Sequence, residues 1–291
     1  MTTTVLAPEV GRSTLPFVDR LFPDRPLEVN FYRPAAHRPD GPVVVVQHGM
    51  MRNGDDYRDF WIDAAEKHAI LIVAPTFSNQ HFPQAEGYNN GLTVAADGTM
   101  RPRDQRIYGV PGRVLDALSQ GGVATRPQVR LFGHSAGGQF VHRLLATEAD
   151  HSRFAVAMAA NSGWYTLPTL DRAFPEGMGG LGLGPDDLAR WLAYPMTIFA
   201  GDQDNDPTEA NLPSNPEAKA QGPTRYARAH FMYAFGQREA ARLGLPFAWN
   251  LISVPGVGHD GAAMSRAAAG IWFEGRMPPA EVLKGTGPGA L

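Results

Sequence analysis

Four consecutive valines and a glutamine, VVVVQ at Val43–Gln47, constrain this chain more than any other stretch. A β-branched run with no polar residue on either alternate position reads as a strand covered on both faces, and such strands belong to parallel sheets. The signature recurs in residues 69–75 (AILIVAP), 128–132 (QVRLF), 154–160 (FAVAMAA), 195–200 (PMTIFA) and 249–254 (WNLISV). Residues 27–34, LEVNFYRP, alternate apolar and polar positions and read as a half-exposed strand. Apolar residues at helical spacing predict helices over 57–68, 110–120, 136–148, 224–242 and 262–273. Strand and helix thus alternate along most of the chain. That pattern predicts an α/β fold, with a mostly parallel central sheet and helices on both faces. In such sheets a ligand sits at the carboxyl ends of the strands.

The 291 residues suit one domain of this class, so 1–291 is read as a single unit. Residues 163–193 break the alternation with two aromatics, a glycine-rich stretch and one short helix; a small cap or loop insertion is expected there. The polar stretch 76–106 is a long loop, of the kind that is usually functional or mobile. Its arginines, Arg101, Arg103 and Arg106, read as a solvated face. The end of the chain, 277–291, is expected to be a loose tail.

Composition removes several function classes. With no cysteine, disulfides, thiolate metal sites and a cysteine nucleophile are out. A net charge of -3 without a basic cluster gives no footprint for nucleic acid. No run approaches the roughly 18 apolar residues of a membrane span. The start, MTTTVLAPEVGRSTLPF, lacks a basic segment followed by an apolar one, so no secretory leader is read and a cytoplasmic location is expected. Gly177, Gly179 and Gly182 match a Gly-x-Gly-x-x-Gly pattern, but no strand precedes them and the dinucleotide reading fails. Asp202, Asp204 and Asp206 look like the start of a calcium loop until Pro207 occupies the position that requires glycine. No metal and no organic cofactor is expected. The sequence sets no oligomeric state.

Residues 131–140, LFGHSAGGQF, carry the chemistry. Gly133-His134-Ser135-Ala136-Gly137 fits Gly-x-Ser-x-Gly between a buried strand and a helix. Glycines two before and two after Ser135 allow a sharp turn with the hydroxyl at its apex. A plain strand-to-helix turn with a capping serine would have the same local look. What separates the two readings is a base and an acid in later loops, because a serine hydroxyl is a poor nucleophile alone. Both are present in the order Ser, Asp, His: GDQDNDP follows the strand at 195–200, and PGVGHDG with His259 follows the strand at 249–254. Asp202, Asp204 and Asp206 all remain open as the acid. A serine hydrolase also needs two N–H donors for an oxyanion, one of which is the residue after the nucleophile, Ala136.

At these residues the chain resembles the α/β-hydrolase superfamily, over roughly 27–273. The resemblance implies the α/β-hydrolase fold and a Ser135-His259-Asp204 triad, since relatives place the acid three residues after a strand-ending glycine, here Gly201. It also implies that the loop QHGMMRNG supplies the second oxyanion donor, the Met50 N–H. His48, in the His-Gly dipeptide, would shape that loop. His48, Met51, His134, Trp164 and Tyr165 are the candidates for the substrate pocket. Within the superfamily the chain is similar to the esterases grouped with polyhydroxyalkanoate depolymerases and feruloyl esterases. A carboxylesterase acting on a small-molecule or polymer ester is the first expectation. A serine peptidase or amidase is second, and a non-catalytic binding module, favoured only by a broken triad, is third.

Overall fold

The computed structural model describes residues 4–148 and 151–285. Among these residues eight strands form one sheet: β1 (Gly11–Phe17), β2 (Leu27–Arg33), β3 (Val43–Gln47), β4 (Leu71–Thr76), β5 (Val129–His134), β6 (Phe154–Ala160), β7 (Met196–Gly201) and β8 (Asn250–Val254). Their spatial order is β1-β2-β4-β3-β5-β6-β7-β8. β2 runs antiparallel to both β1 and β4, and every other pairing is parallel. The sheet is the α/β-hydrolase type expected. β1 is an addition to the strands legible in the sequence. Its burial alternates half-buried with exposed, so it carries little apolar signal, and its pairing with β2 is what makes it a strand.

Ten α-helices among the described residues pack around the sheet: α1 (Gly54–Asp59), α2 (Ile62–His68), α3 (Gln84–Gly87), α4 (Val110–Gln120), α5 (Ala136–Thr147), α6 (Pro185–Leu192), α7 (Pro216–Gln221), α8 (Arg225–Leu243), α9 (Gly261–Ala269) and α10 (Ala280–Lys284). The period-two geometry of the strands divides the core. Val43, Val45, Leu131, Ala157 and Ile198 face one layer, with α4, α5 and α8. Val44, Val46, Phe132, Met158 and Phe199 face the other, with Tyr57, Trp61 and the alanines of α9. A strand buried in this way has no polar face, which is why VVVVQ reads as central.

Three expectations need correcting. The helix read over 57–68 is two helices, broken at Phe60 and Trp61, with fully buried Trp61 packed on Phe132. Arg106 is buried, not solvated, and donates to the carbonyls of Arg101 and Leu181. Residues 277–285 are not a loose tail. Leu283 of α10 is buried, and its carbonyl accepts from Arg266 at 2.6 Å; residues 286–291 lie outside the described residues. The segment 163–193 is bound into the body of the domain. Tyr165 is buried, Trp191 lies in the core of the α4–α5 layer, and the chain runs from α6 directly into β7. Among the described residues no helix is long and apolar enough to cross a membrane.

Candidate active site

β5 passes into α5 through Ser135, whose backbone stands at φ 59° and ψ -118°. L-residues rarely adopt positive φ, and such strain is held only where surrounding packing imposes it. Two close approaches impose it. A Cβ on Gly133 would lie 2.2 Å from the Gly137 carbonyl oxygen, and a Cβ on Gly137 would lie 2.2 Å from the Gln47 carbonyl oxygen of β3. The Ser135 N–H also donates to the Ala160 carbonyl at the end of β6, 2.9 Å away. The turn is therefore clamped between β3 and β6, with its hydroxyl at the carboxyl edge of the sheet.

The loops after β7 and β8 bring the other two groups to that edge. His259 Nε2 lies 3.0 Å from Ser135 Oγ, and His259 Nδ1 lies 2.7 Å from Asp204 Oδ2. A carboxylate only accepts, so Nδ1–H donates to Asp204 and Nε2 accepts from the serine hydroxyl. Asp204 is 3% exposed. Its other oxygen accepts from Arg225 Nη1 at 3.2 Å, and Arg225 also binds Glu209 and Asn211. Of the three aspartates left open by the sequence, Asp204 is the one against His259. Asp202 accepts from the Gly256 N–H at 2.8 Å, and exposed Asp206 accepts from the Thr208 N–H at 2.8 Å.

Asn161, not among the candidates from sequence, joins the two loops. Its Oδ1 accepts from the Gly201 N–H and its Nδ2 donates to the Gly258 carbonyl, both at 2.8 Å. An asparagine directly after a sheet strand is the available signal, because asparagine tolerates the positive φ (here 44°) that the position requires.

Met50 and Ala136 line the same cavity as Ser135. Among the described residues no protein acceptor takes the N–H of either, leaving both for a ligand oxygen. Gly49 brings the loop close: a Cβ there would stand 3.7 Å from Ser135 Cβ. His48 fixes the loop from below. Its Nδ1–H donates to the Gly49 carbonyl at 2.8 Å and its Nε2 accepts from the Phe77 N–H at 3.0 Å. Tyr88 stacks on its ring at 4.5 Å and donates to its carbonyl. Burial lowers the pKa of His48 to about 3, so it stays neutral.

The pocket expectations fare less well. His48 is fully buried and does not reach the cavity. Met51 is 79% exposed and lies outside the lining set. His134 is buried behind His259, ring centroids 4.7 Å apart, with Nδ1 2.8 Å from the Tyr57 hydroxyl. Burial first, then the neighbouring His259 and Arg225, hold its pKa well below the ordinary histidine value. Tyr165 is buried against Gln221, and Trp164 lies over the Arg143 guanidinium. Neither lines the cavity. The walls come instead from Arg52, Asn79, Gln84, Tyr88 and Asn89 on one side and Asn211, Pro213 and Arg225 on the other, around 480 Å³. The long polar loop after β4 thus supplies much of the wall, and 163–193 contributes only Gly163.

Solved structures of other proteins share the fold. The structure of LpqC, a poly(3-hydroxybutyrate) depolymerase from Bordetella parapertussis, is 55% identical and superposes with a TM-score of 0.92, over 94% of this chain and 93% of that one. Poly(aspartic acid) hydrolase-1 from Sphingomonas sp. KT-1 is 33% identical with a TM-score of 0.85, over 90% of this chain and 98% of that one. An S-formylglutathione hydrolase from Agrobacterium tumefaciens, at 16% identity and a TM-score of 0.58 over 94% and 98%, shares the fold alone. No protein-family model and no curated protein matches the chain.

Proposed function

The chain belongs to the α/β-hydrolase family of serine esterases and is an ester hydrolase, and from that premise we propose that Ser135, His259 and Asp204 cleave the ester bonds of short hydroxyalkanoate chains. The observation that carries the reading is the relay from Asp204 Oδ2 through His259 to Ser135 Oγ, at 2.7 and 3.0 Å. Ser135 Oγ attacks the ester carbonyl carbon while its proton passes to His259 Nε2. The carbonyl oxygen takes up the electron pair, and the Met50 and Ala136 N–H groups stabilise it; one such donor is worth about 3 kcal/mol. Asp204 stabilises the imidazolium. As the tetrahedral species collapses, the C–O bond to the alcohol breaks and His259 returns its proton to that oxygen. His259 then takes a proton from water, the hydroxide attacks the acyl-serine, and the acid is released with Ser135 restored.

The substrate class is supported by the 55% identical poly(3-hydroxybutyrate) depolymerase, and by a cavity that sets the amides of Asn79, Asn89, Gln139 and Asn211 beside the apolar Met50, Pro83, Ala85 and Pro213. The poly(aspartic acid) hydrolase supports a second reading, amide cleavage, which asks the same residues to protonate a poorer leaving group. The test is turnover of p-nitrophenyl butyrate, 3-hydroxybutyrate oligomers and poly(aspartic acid) by the wild type and by Ser135→Ala. We expect ester turnover that falls at least about a thousandfold in the variant. Equal activity in both proteins would remove Ser135 from the chemistry, and turnover of poly(aspartic acid) above the esters would favour the amide reading.

A further inference from the structure

Two guanidinium groups line the cavity beside Ser135, and their electrical surroundings differ. Arg225 is neutralised by the carboxylates of Asp204 and Glu209. Arg52 is not. Its Nη1 and Nη2 donate to the carbonyls of Phe77 and Gln84, each at 2.8 Å, and its guanidinium carbon lies 4.4 Å over the Tyr88 ring. Among the described residues no carboxylate pairs with it. Carbonyls and a π face orient a cation without cancelling its charge, and a half-buried unpaired charge is costly. The backbone adds to that cost, because Arg52 sits at φ 61°. Two carbonyl acceptors alone do not require such an arrangement, since a neutral donor would serve them. The guanidinium keeps further N–H groups beyond the two so used, and it lines a cavity whose amide walls, Asn79, Gln84, Asn89, Gln139 and Asn211, are uncharged.

We propose that Arg52 is a specificity residue that binds a substrate carboxylate, so that the preferred substrates are esters carrying a free acid group in reach of Ser135, such as the acid end of a hydroxyacid oligomer. This rests on the ester-hydrolase reading and narrows it. A polymer interior offers no carboxylate, whereas each cleavage near a chain end leaves a new one. The enzyme then works inward from acid termini or on oligomers already released. The class of reaction that supplies its substrate is the fragmentation of a longer polyester into acid-ended pieces.

The experiment compares the 3-hydroxybutyrate dimer with the same dimer capped as its primary amide, by release of 3-hydroxybutyrate. Wild type, Arg52→Gln and Arg52→Lys are assayed on both, with p-nitrophenyl butyrate as a separate check of the esterase. Charge-assisted hydrogen bonding predicts that the wild type favours the acid over the amide by about 10- to 100-fold in kcat/KM. Arg52→Gln should lower that ratio by about tenfold or more, through KM for the acid, while Arg52→Lys keeps much of it. Raising the salt to about 0.5 M should erode the wild-type ratio. A wild-type ratio near one, or an equal loss on both dimers in Arg52→Gln, would overturn the proposal; the second result would leave Arg52 as a brace for the loop. Turnover of p-nitrophenyl butyrate but of neither dimer also overturns it while leaving the esterase standing. Failure on every ester would take both readings down.

Discussion

Tyr57 joins three segments that meet behind Ser135. Its hydroxyl bonds His134 Nδ1 at 2.8 Å and lies against Gly49 in the loop after β3, where a Cβ would come within 2.9 Å of it. It also fills the space beside Gly261, two residues after His259, where a Cβ would come within 3.0 Å of it. Burial keeps His134 neutral, and its ring packs on His259, centroids 4.7 Å apart. No tyrosine–histidine pair is evident in the sequence, because 77 residues separate the two. Tyr57→Phe should leave the buried His134 Nδ1 without its partner and lower stability by about 1–3 kcal/mol. As a positioning residue it should also cost kcat about tenfold at nearly constant KM. Denaturant midpoints and steady-state kinetics on one ester check this. A stability loss with kcat intact would reduce Tyr57 to packing.

At the level of elements, the strand–turn–helix of β5 and α5 works because β3 runs directly beside it. The backbone of Gly137 lies so near the Gln47 and His48 carbonyls that no side chain fits. Gly137→Ala should therefore destabilise by more than about 3 kcal/mol, through backbone displacement at Ser135 itself. Gly112, in α4, has nothing within 4 Å of the point where a Cβ would stand, and Gly112→Ala should gain about 0.5–1 kcal/mol from helix propensity. Thermal or denaturant unfolding of the pair checks both signs. If Gly137→Ala were as benign as Gly112→Ala, the close contact between β3 and the elbow would be wrong.

Across the molecule, three buried histidines set the response to acid. Burial lowers His48 to about 3 and holds His134 and His142 well below the usual value of 6.5. In the unfolded chain each takes a proton near pH 6.5, which the folded protein does not. Stability is therefore full above that pH and lost as the pH falls through and below it, by about 1–2 kcal/mol per histidine at pH 5.5. Glu148 acts in the opposite sense. Burial raises it to about 7, so the folded state holds its proton between roughly pH 4.5 and 7 and gains about 2 kcal/mol by pH 5.5. The net expectation is a loss of about 2 kcal/mol between pH 8 and 5.5, read from urea unfolding, and a steeper loss in Glu148→Gln. Rising stability on acidification would contradict the burial of the histidines.

Fold class and the order of the chemistry are legible in the amino-acid sequence. Doubly buried strands such as VVVVQ advertise a central parallel sheet, and the glycines around Ser135 advertise a turn, because both are properties of neighbouring residues. The later loops with Asp204 and His259 can be placed because each follows a legible strand. Whatever depends on direction and distance is settled only in three dimensions. Local pattern does not choose among Asp202, Asp204 and Asp206; the choice is made by which carboxylate the β7 loop turns inward to His259 and Arg225. Nor does it show that Trp164 and Tyr165 lie outside the cavity lining, that β1 pairs with β2, or that Arg52 stands without a counter-charge among the described residues. Those outcomes arise where segments distant in the chain pack together, and a one-dimensional pattern carries no record of which side chains will meet there.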